Sequence, residues 1–128
     1  MIIPDIDIKK LVEDGFLLPG LTTGHSSVDL TLSDSFSWPE LEKDKIILGE
    51  SVPHKQVQKD EFVLEPNHFV LASTAESIRV PHDMAAYVEG RSNIVRSGLQ
   101  VQNAGFIDVG FLGQITLELE NQSGFPIV

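Results

Sequence analysis

Three stretches of this chain carry side chains able to do chemistry. The first is Glu89-Gly90-Arg91-Ser92-Asn93-Ile94-Val95-Arg96-Ser97-Gly98, which puts a glycine turn, a hydroxyl, an amide and two arginines into ten residues. If Ser92 or Asn93 caps a single helical turn ending at Gly98, the free N–H groups at its start suit an anion, and a flanking arginine can fork onto phosphate oxygens. Spacing alone favours a plainer reading, a connecting turn with two surface arginines. The second stretch centres on Asp108, inside a segment with three glycines in ten residues, AGFIDVGFLG. A carboxylate held there suits a sugar hydroxyl, a water or a metal, although an Asp that stabilises its own turn is the commoner case. The third is Glu118, on the polar face of QITLELE. Such a carboxylate is usually just solvated; buried at a subunit contact, it would suit proton transfer near neutral pH.

Other polar and aromatic residues suggest less. His25, His54, His68 and His82 share no spacing and read as turn and surface residues, not a metal trio. Phe36, Trp38 and Phe62 read as core, not as a stacking platform.

The elements that must position these groups follow from periodicity. Residues 5–14, DIDIKKLVED, place Ile8, Leu11 and Val12 on one helical face, with Asp5 or Asp7 to cap the start and Gly15 to end it. Residues 18–26 have the Gly, Pro and Ser punctuation of a loop. Short apolar or alternating runs at 28–32, 45–48, 62–64, 68–72, 77–80 and 85–89 predict strands, separated by turns such as Glu65-Pro66-Asn67 and Pro81-His82-Asp83. Residues 114–120 alternate strictly, with Ile115, Leu117 and Leu119 on one face and Thr116, Glu118 and Glu120 on the other. The polar stretches 33–44 and 49–60 read as loops. Many short strands with one outlying helix predict an all-β sandwich or barrel.

Composition narrows the function. With 128 residues, the chain is expected to form one domain with one core. Nine Lys and Arg against nineteen Asp and Glu give a net charge of −10, which repels a nucleic-acid backbone, so no nucleic-acid partner is expected. No apolar run is long enough for a membrane span, and the start lacks signal-peptide character, so no membrane association is expected. The absence of cysteine removes thiolate zinc sites and disulfides and suggests a cytoplasmic protein.

Residues 88–121, VEGRSNIVRSGLQVQNAGFIDVGFLGQITLELEN, resemble the signature region of the dCTP deaminase family, within the trimeric dUTPase-like superfamily. The helix IDIKKLVEDG and the strand SSVDLTL are similar to that family's start. The resemblance implies a distorted jelly-roll subunit, a dUTPase-like domain spanning 1–128, assembled as a homotrimer with active sites between subunits. It implies deamination of dCTP to dUTP in nucleotide metabolism, with dCTP and dUTP as ligands and dTTP as a candidate inhibitor. Glu118 would be general base and acid at C4 of cytosine, with Ser92 orienting the water or Glu118. Arg91, Ser92 and Asn93 would hold phosphates, and Arg96 would support the site from a neighbouring subunit. Asp108 and the backbone around Asn103, Ala104, Gly105, Phe106 and Ile107, next to Gln102, would hold the deoxyribose and pyrimidine edge. Magnesium would come with the triphosphate, and zinc would play no part: the zinc-dependent deaminases need a His/Cys trio that a cysteine-free chain lacks.

Departures from the family pattern also carry meaning. Asn93 and Val109 stand where Ser and Pro are usual. The usual His-x-Thr-Ala is shortened to Gln102-Asn103-Ala104, as in a subgroup that combines deaminase and dUTPase activities, so dUMP becomes an expected product. Phe125-Pro126-Ile127-Val128 falls inside an expected strand, and the family's closing tail is expected beyond it. A plain dUTPase usually has Tyr at the position of Phe111 and lacks Glu at 118. A catalytically silent nucleotide-binding homologue is the other alternative.

Overall fold

The computed structural model describes residues 1–40, 45–102 and 105–128, with the side chain of Gln102 left out. Helix α1 (Asp5–Glu13) is followed by β1 (Leu32–Pro39), β2 (His54–Gln58), β3 (Phe69–Arg79), β4 (Ala86–Tyr87), the short helix α2 (Ser92–Arg96), β5 (Leu99–Gln102), β6 (Phe106–Ile107) and β7 (Leu112–Asn121). Five strands form an antiparallel sheet in the order β2-β1-β3-β7-β5, and β4 pairs with β6 in a two-stranded sheet. The architecture is all-β with a short N-terminal helix, as expected.

Alternation decides which face of the large sheet is buried. Phe36, Val70, Ala72 and Leu119 point inward with Leu64, and Trp38, Val57, Phe62, Leu99, Val101 and Leu117 pack around them. Phe36 stacks on Phe62 at 4.5 Å between centroids, so these aromatics are core, as read from the sequence. A second cluster, Ile78, Val80, Ile107 and Ile115, joins the far ends of β3 and β7 to the small sheet. Leu117 packs against both clusters. Helix α1 buries Ile8, and the chain after it is pinned by Leu17 in the second cluster and by the Arg79 amide donating to the Phe16 carbonyl at 3.0 Å.

A bulge divides β3. Ser73 pairs with Thr116 and Ser77 with Gln114, leaving extra residues on β3. Thr74, 2% exposed, locks the irregularity: its hydroxyl donates to the Glu76 carbonyl at 2.8 Å and accepts from the Ile115 amide at 2.9 Å. Bulges of this kind re-aim the chain, here between the two core clusters. At the other end of β7, Asn121 is fully buried. Its amide donates to the carbonyls of Leu64 and Phe125, both at 2.8 Å, and its oxygen accepts from the amide and hydroxyl of Ser123. One side chain thus ties β7, Leu64 ahead of β3 and the Phe125–Ile127 segment, which bridges back to Leu64.

Several expected elements differ. Residues 33–44, read as a loop, include β1, because Ser35, Phe36, Ser37 and Trp38 alternate and small hydroxyl side chains sit well on an exposed sheet face. Residues 49–60 include β2, an edge strand with one apolar residue, Val57, facing in; edge strands tolerate such polarity. No strand forms at 45–48, and Leu48 is exposed. The runs 68–72 and 77–80 fuse through the bulge into β3, whereas 62–64 supplies only the Leu64 bridge and 28–32 mainly the Val28 bridge. Neither Asp5 nor Asp7 caps α1; Pro4 precedes it and Asp5 pairs with Lys9 instead. Among the described residues, no helix is long and apolar enough to cross a membrane.

Candidate functional site

The arginine turn is built by β4, α2 and β5. Strand β4 runs into Gly90, whose position must lack a side chain: an added Cβ would lie 2.7 Å from Val95 Cγ2 and 3.1 Å from Val101 Cγ2. That close approach seats α2 on β5. Gly98, at φ +94°, ends the turn, and its carbonyl accepts the Gln122 amide at 2.9 Å. The expected helical turn is therefore present, but Arg91 occupies its N-cap and neither Ser92 nor Asn93 caps it. Its first hydrogen bond comes from the Ile94 amide to the Arg91 carbonyl, so the Ser92 and Asn93 amides stand ahead of it. Five residues carry little macrodipole, so the turn has no helix-end field to offer an anion, only side chains and those two amides. Arg91, Ser92, Asn93 and Arg96 are all exposed. Arg91 is not idle: its Nη2 donates to Asp29 Oδ2 at 2.7 Å. Asp29, missed in the sequence, lies in the SSVDLTL segment 62 residues away. No local pattern marks it, because only tertiary packing brings the two segments together.

Asp108 opens a tight turn after β6. The Phe111 amide donates to the Asp108 carbonyl at 3.2 Å, so the backbone of Asp108, not its exposed carboxylate, closes that turn. Gly110, at φ +75°, lies under the His82 ring, where a Cβ would come within 2.6 Å of Cε1. Its amide donates to the Val80 carbonyl at 3.1 Å. Upstream, the Gly105 carbonyl accepts the Val88 amide at 2.9 Å. Ile107 is buried in the second core cluster, which leaves only its backbone for a ligand, whereas Phe106 is 70% exposed beside Tyr87 on the paired strand. Asn103 and Ala104 lie outside the described residues.

Glu118 sits on the large sheet, on β7 next to the edge strand β5, in a row that crosses all five strands. Gln56 pairs with Ser37, Ser37 with Leu71, Leu71 with Glu118 and Glu118 with Gln102. The alternation expected for β7 holds: Ile115 and Leu119 are buried, and Glu118 and Glu120 are half-buried on the opposite face. Beside Glu118 lies a groove of about 390 Å³ lined by Ser35, Ser37, Gln56, Leu71, Ser73 and Thr116, without a charged side chain. Among the described residues, no hydrogen bond or ion pair joins Glu118 to Ser92, Arg96 or Asp108. The turn enters β5 at Leu99, opposite Asn121, whereas Glu118 lies opposite the far end of β5.

The dCTP deaminase-like family profile matches residues 2–128. The chain belongs to the dCTP deaminase-like family. A relative from Hydrogenobaculum sp. (strain Y04AAS1), named "dCTP deaminase, dUMP-forming", is 48% identical over 80% of this chain and 58% of its own length. A relative of the same name from Sulfurihydrogenibium sp. (strain YO3AOP1) is 40% identical over 99% of this chain and 76% of its own. The crystal structure of 2'-deoxycytidine 5'-triphosphate deaminase from Agrobacterium tumefaciens superposes with a TM-score of 0.77 at 15% identity, covering 98% of this chain and 45% of that one, which shows the shared fold. The chain thus spans a little over half the length of the first relative and less than half of the solved chain.

Proposed function

We propose that this chain deaminates dCTP hydrolytically at C4 and carries the product on to dUMP. The observation that carries the reading is the position of Glu118: half-buried and without a bonded partner among the described residues, beside a polar groove whose lining has no charged side chain. A carboxylate there is free to take a proton from water as it attacks C4. It can then return a proton to the departing nitrogen, so that dCTP and water give dUTP and ammonia. Ser92 orients the water or Glu118. Arg91, Ser92 and Asn93 hold phosphates, Arg96 supports them, and Asp108 with the neighbouring backbone holds the deoxyribose. Hydrolysis between the α- and β-phosphates then yields dUMP and diphosphate, with Asp108 placing the second water. The names of the two relatives support that product.

The separation of Glu118 from the arginine turn within one chain supports a site completed by other copies, and the assembly proposed is a homotrimer. The sheet face around Glu118 suits such packing: in the row through it and the adjacent groove, Glu118 is the one charged residue, and interface centres are depleted of charge. Among the described residues, no group of three or more His, Asp or Glu could hold a metal ion. Magnesium is proposed to arrive on the triphosphate, as part of the substrate.

Incubation with dCTP or dUTP plus magnesium, with products resolved by chromatography, tests the reading. dUMP, diphosphate and ammonia from dCTP are expected. Turnover of dUTP alone would make the protein a dUTPase, and binding without turnover a silent homologue.

A further inference from the structure

Asp29 is the one carboxylate paired to a candidate site residue among the described ion pairs, and its backbone is held from several directions. Its amide donates to the Thr22 carbonyl at 2.9 Å, and Thr23 bridges Val28. Next to it, Leu30 packs into the second core cluster. One residue further, the Thr31 amide and hydroxyl donate to the Glu76 carboxylate at 2.9 and 2.6 Å, and the Thr31 carbonyl accepts the Ala75 amide at 2.8 Å. The β3 bulge thus straps down the segment that carries Asp29.

The pair itself is lopsided. One Asp29 oxygen meets one Arg91 nitrogen at 2.7 Å, and the Arg91 side chain is 66% exposed against 32% for Asp29. A guanidinium has five N–H donors in a rigid fork, so a single contact leaves an open edge for a second acceptor. We infer that Asp29 is a positioning residue: it anchors one side of the Arg91 guanidinium so that the free edge meets a phosphate. This rests on the reading of Arg91 as a phosphate ligand. Two effects oppose each other. The Asp29 charge repels an incoming anion, but a phosphate on the free edge is separated from it by the guanidinium and two hydrogen bonds, in solvent, where repulsion is weak and screened. The loss of orientation of a long flexible arginine wins.

The test is isothermal calorimetry of the whole protein with inorganic tripolyphosphate at physiological salt, in a double-mutant cycle of Asp29 and Arg91. Arg91→Ala comes first: unchanged affinity removes the phosphate reading itself, and with it this inference. If Arg91→Ala weakens binding, Asp29→Ala is expected to weaken it about three- to fivefold in the presence of Arg91 and not at all in the Arg91→Ala background. Asp29→Asn, which loses the charge but keeps an acceptor oxygen, should lose less. Equal or tighter binding by Asp29→Ala makes Asp29 a competitor and overturns the inference. Equal losses in both backgrounds overturn it too, because they make the residue merely structural. Should Asp29→Ala fail to fold, the wild type decides: hindered rotation of the Arg91 guanidinium by ¹⁵N NMR without phosphate is expected, and free rotation refutes the anchoring.

Discussion

Replacing Glu118 by Gln separates the proposed chemistry from mere architecture. The substitution keeps shape and one acceptor oxygen but removes the proton acceptor. In this structure it strips no bonded partner, since Glu118 makes no hydrogen bond or ion pair among the described residues and is only half-buried between Leu71 and Gln102. The cost to folding should therefore stay within about 0.5 kcal/mol, as for other surface changes that leave nothing unpaired. Loss of a general base costs about 10²–10⁴-fold in rate, which corresponds to about 2.7–5.4 kcal/mol in activation free energy. The two magnitudes do not overlap, so a large loss of turnover with an unchanged unfolding midpoint and an unchanged mass by light scattering points to the chemical step. Single-turnover assays with dCTP, quenched and resolved by chromatography, give the rate, and urea unfolding gives the stability. Glu120→Gln is the control. Glu120 lies on the same face two residues on, paired with Phe69 and Gln100, and accepts from Gln122 at 3.4 Å. Its replacement should be mild in both assays. Glu118→Gln retaining more than a tenth of wild-type deamination refutes the mechanism, and equal damage from both substitutions makes the face structural.

Further expectations test the surrounding frame. Arg91→Ala should weaken dCTP binding about ten- to a hundredfold by calorimetry, the loss of a charge-assisted contact, whereas unchanged affinity removes it from the site. Asn121→Ala removes four hydrogen bonds at a fully buried residue and strands the Ser123 amide, but the Leu64 carbonyl keeps the Ile127 amide and the Phe125 carbonyl keeps the Ser123 hydroxyl, so urea unfolding should show a loss of about 1–3 kcal/mol; less than about 0.5 kcal/mol would mean that those bonds contribute little. Thr74→Val keeps the shape but leaves the Ile115 amide unpaired in the core, and should cost about 1–3 kcal/mol in the same assay. Burial opposes ionisation of Glu76, but the Thr31 hydroxyl and amide together with its own amide outweigh it and hold the carboxyl below its ordinary value of 4.5. A depressed value stabilises the fold fully above about pH 4.5, and the contribution is lost as pH falls through the lower folded value. Unfolding midpoints should therefore fall with acid below that pH in the wild type and fall less steeply in Glu76→Gln.

Much was legible without coordinates, because it depends on local periodicity. Strict alternation in 114–120 predicted the two faces of β7, and Glu118 indeed lies opposite Ile115 and Leu119 in orientation. Glycine spacing predicted the turn after Gly90 and the tight loop at Asp108 for the same reason: positive φ and close contact leave few residue types to choose from. The alternation of Ser35 to Trp38 in β1 was masked by its serines, and polar β2, with Val57 as its one apolar residue, was not legible, since its place in the sheet comes from pairing with β1. The bulge at Thr74 was hidden for the same reason, its register being set by β7. Asp29 and Asn121 carry no local signal at all. Asp29 acquires meaning only from Arg91, 62 residues away, and Asn121 only from Leu64, 57 residues away. The residue types and spacing thus determined which groups could react and which faces they occupy. The tertiary structure decided which of them are anchored, through buried hydrogen bonds that no sequence period encodes, and it left Glu118 unbonded to the arginine turn within one copy of the chain.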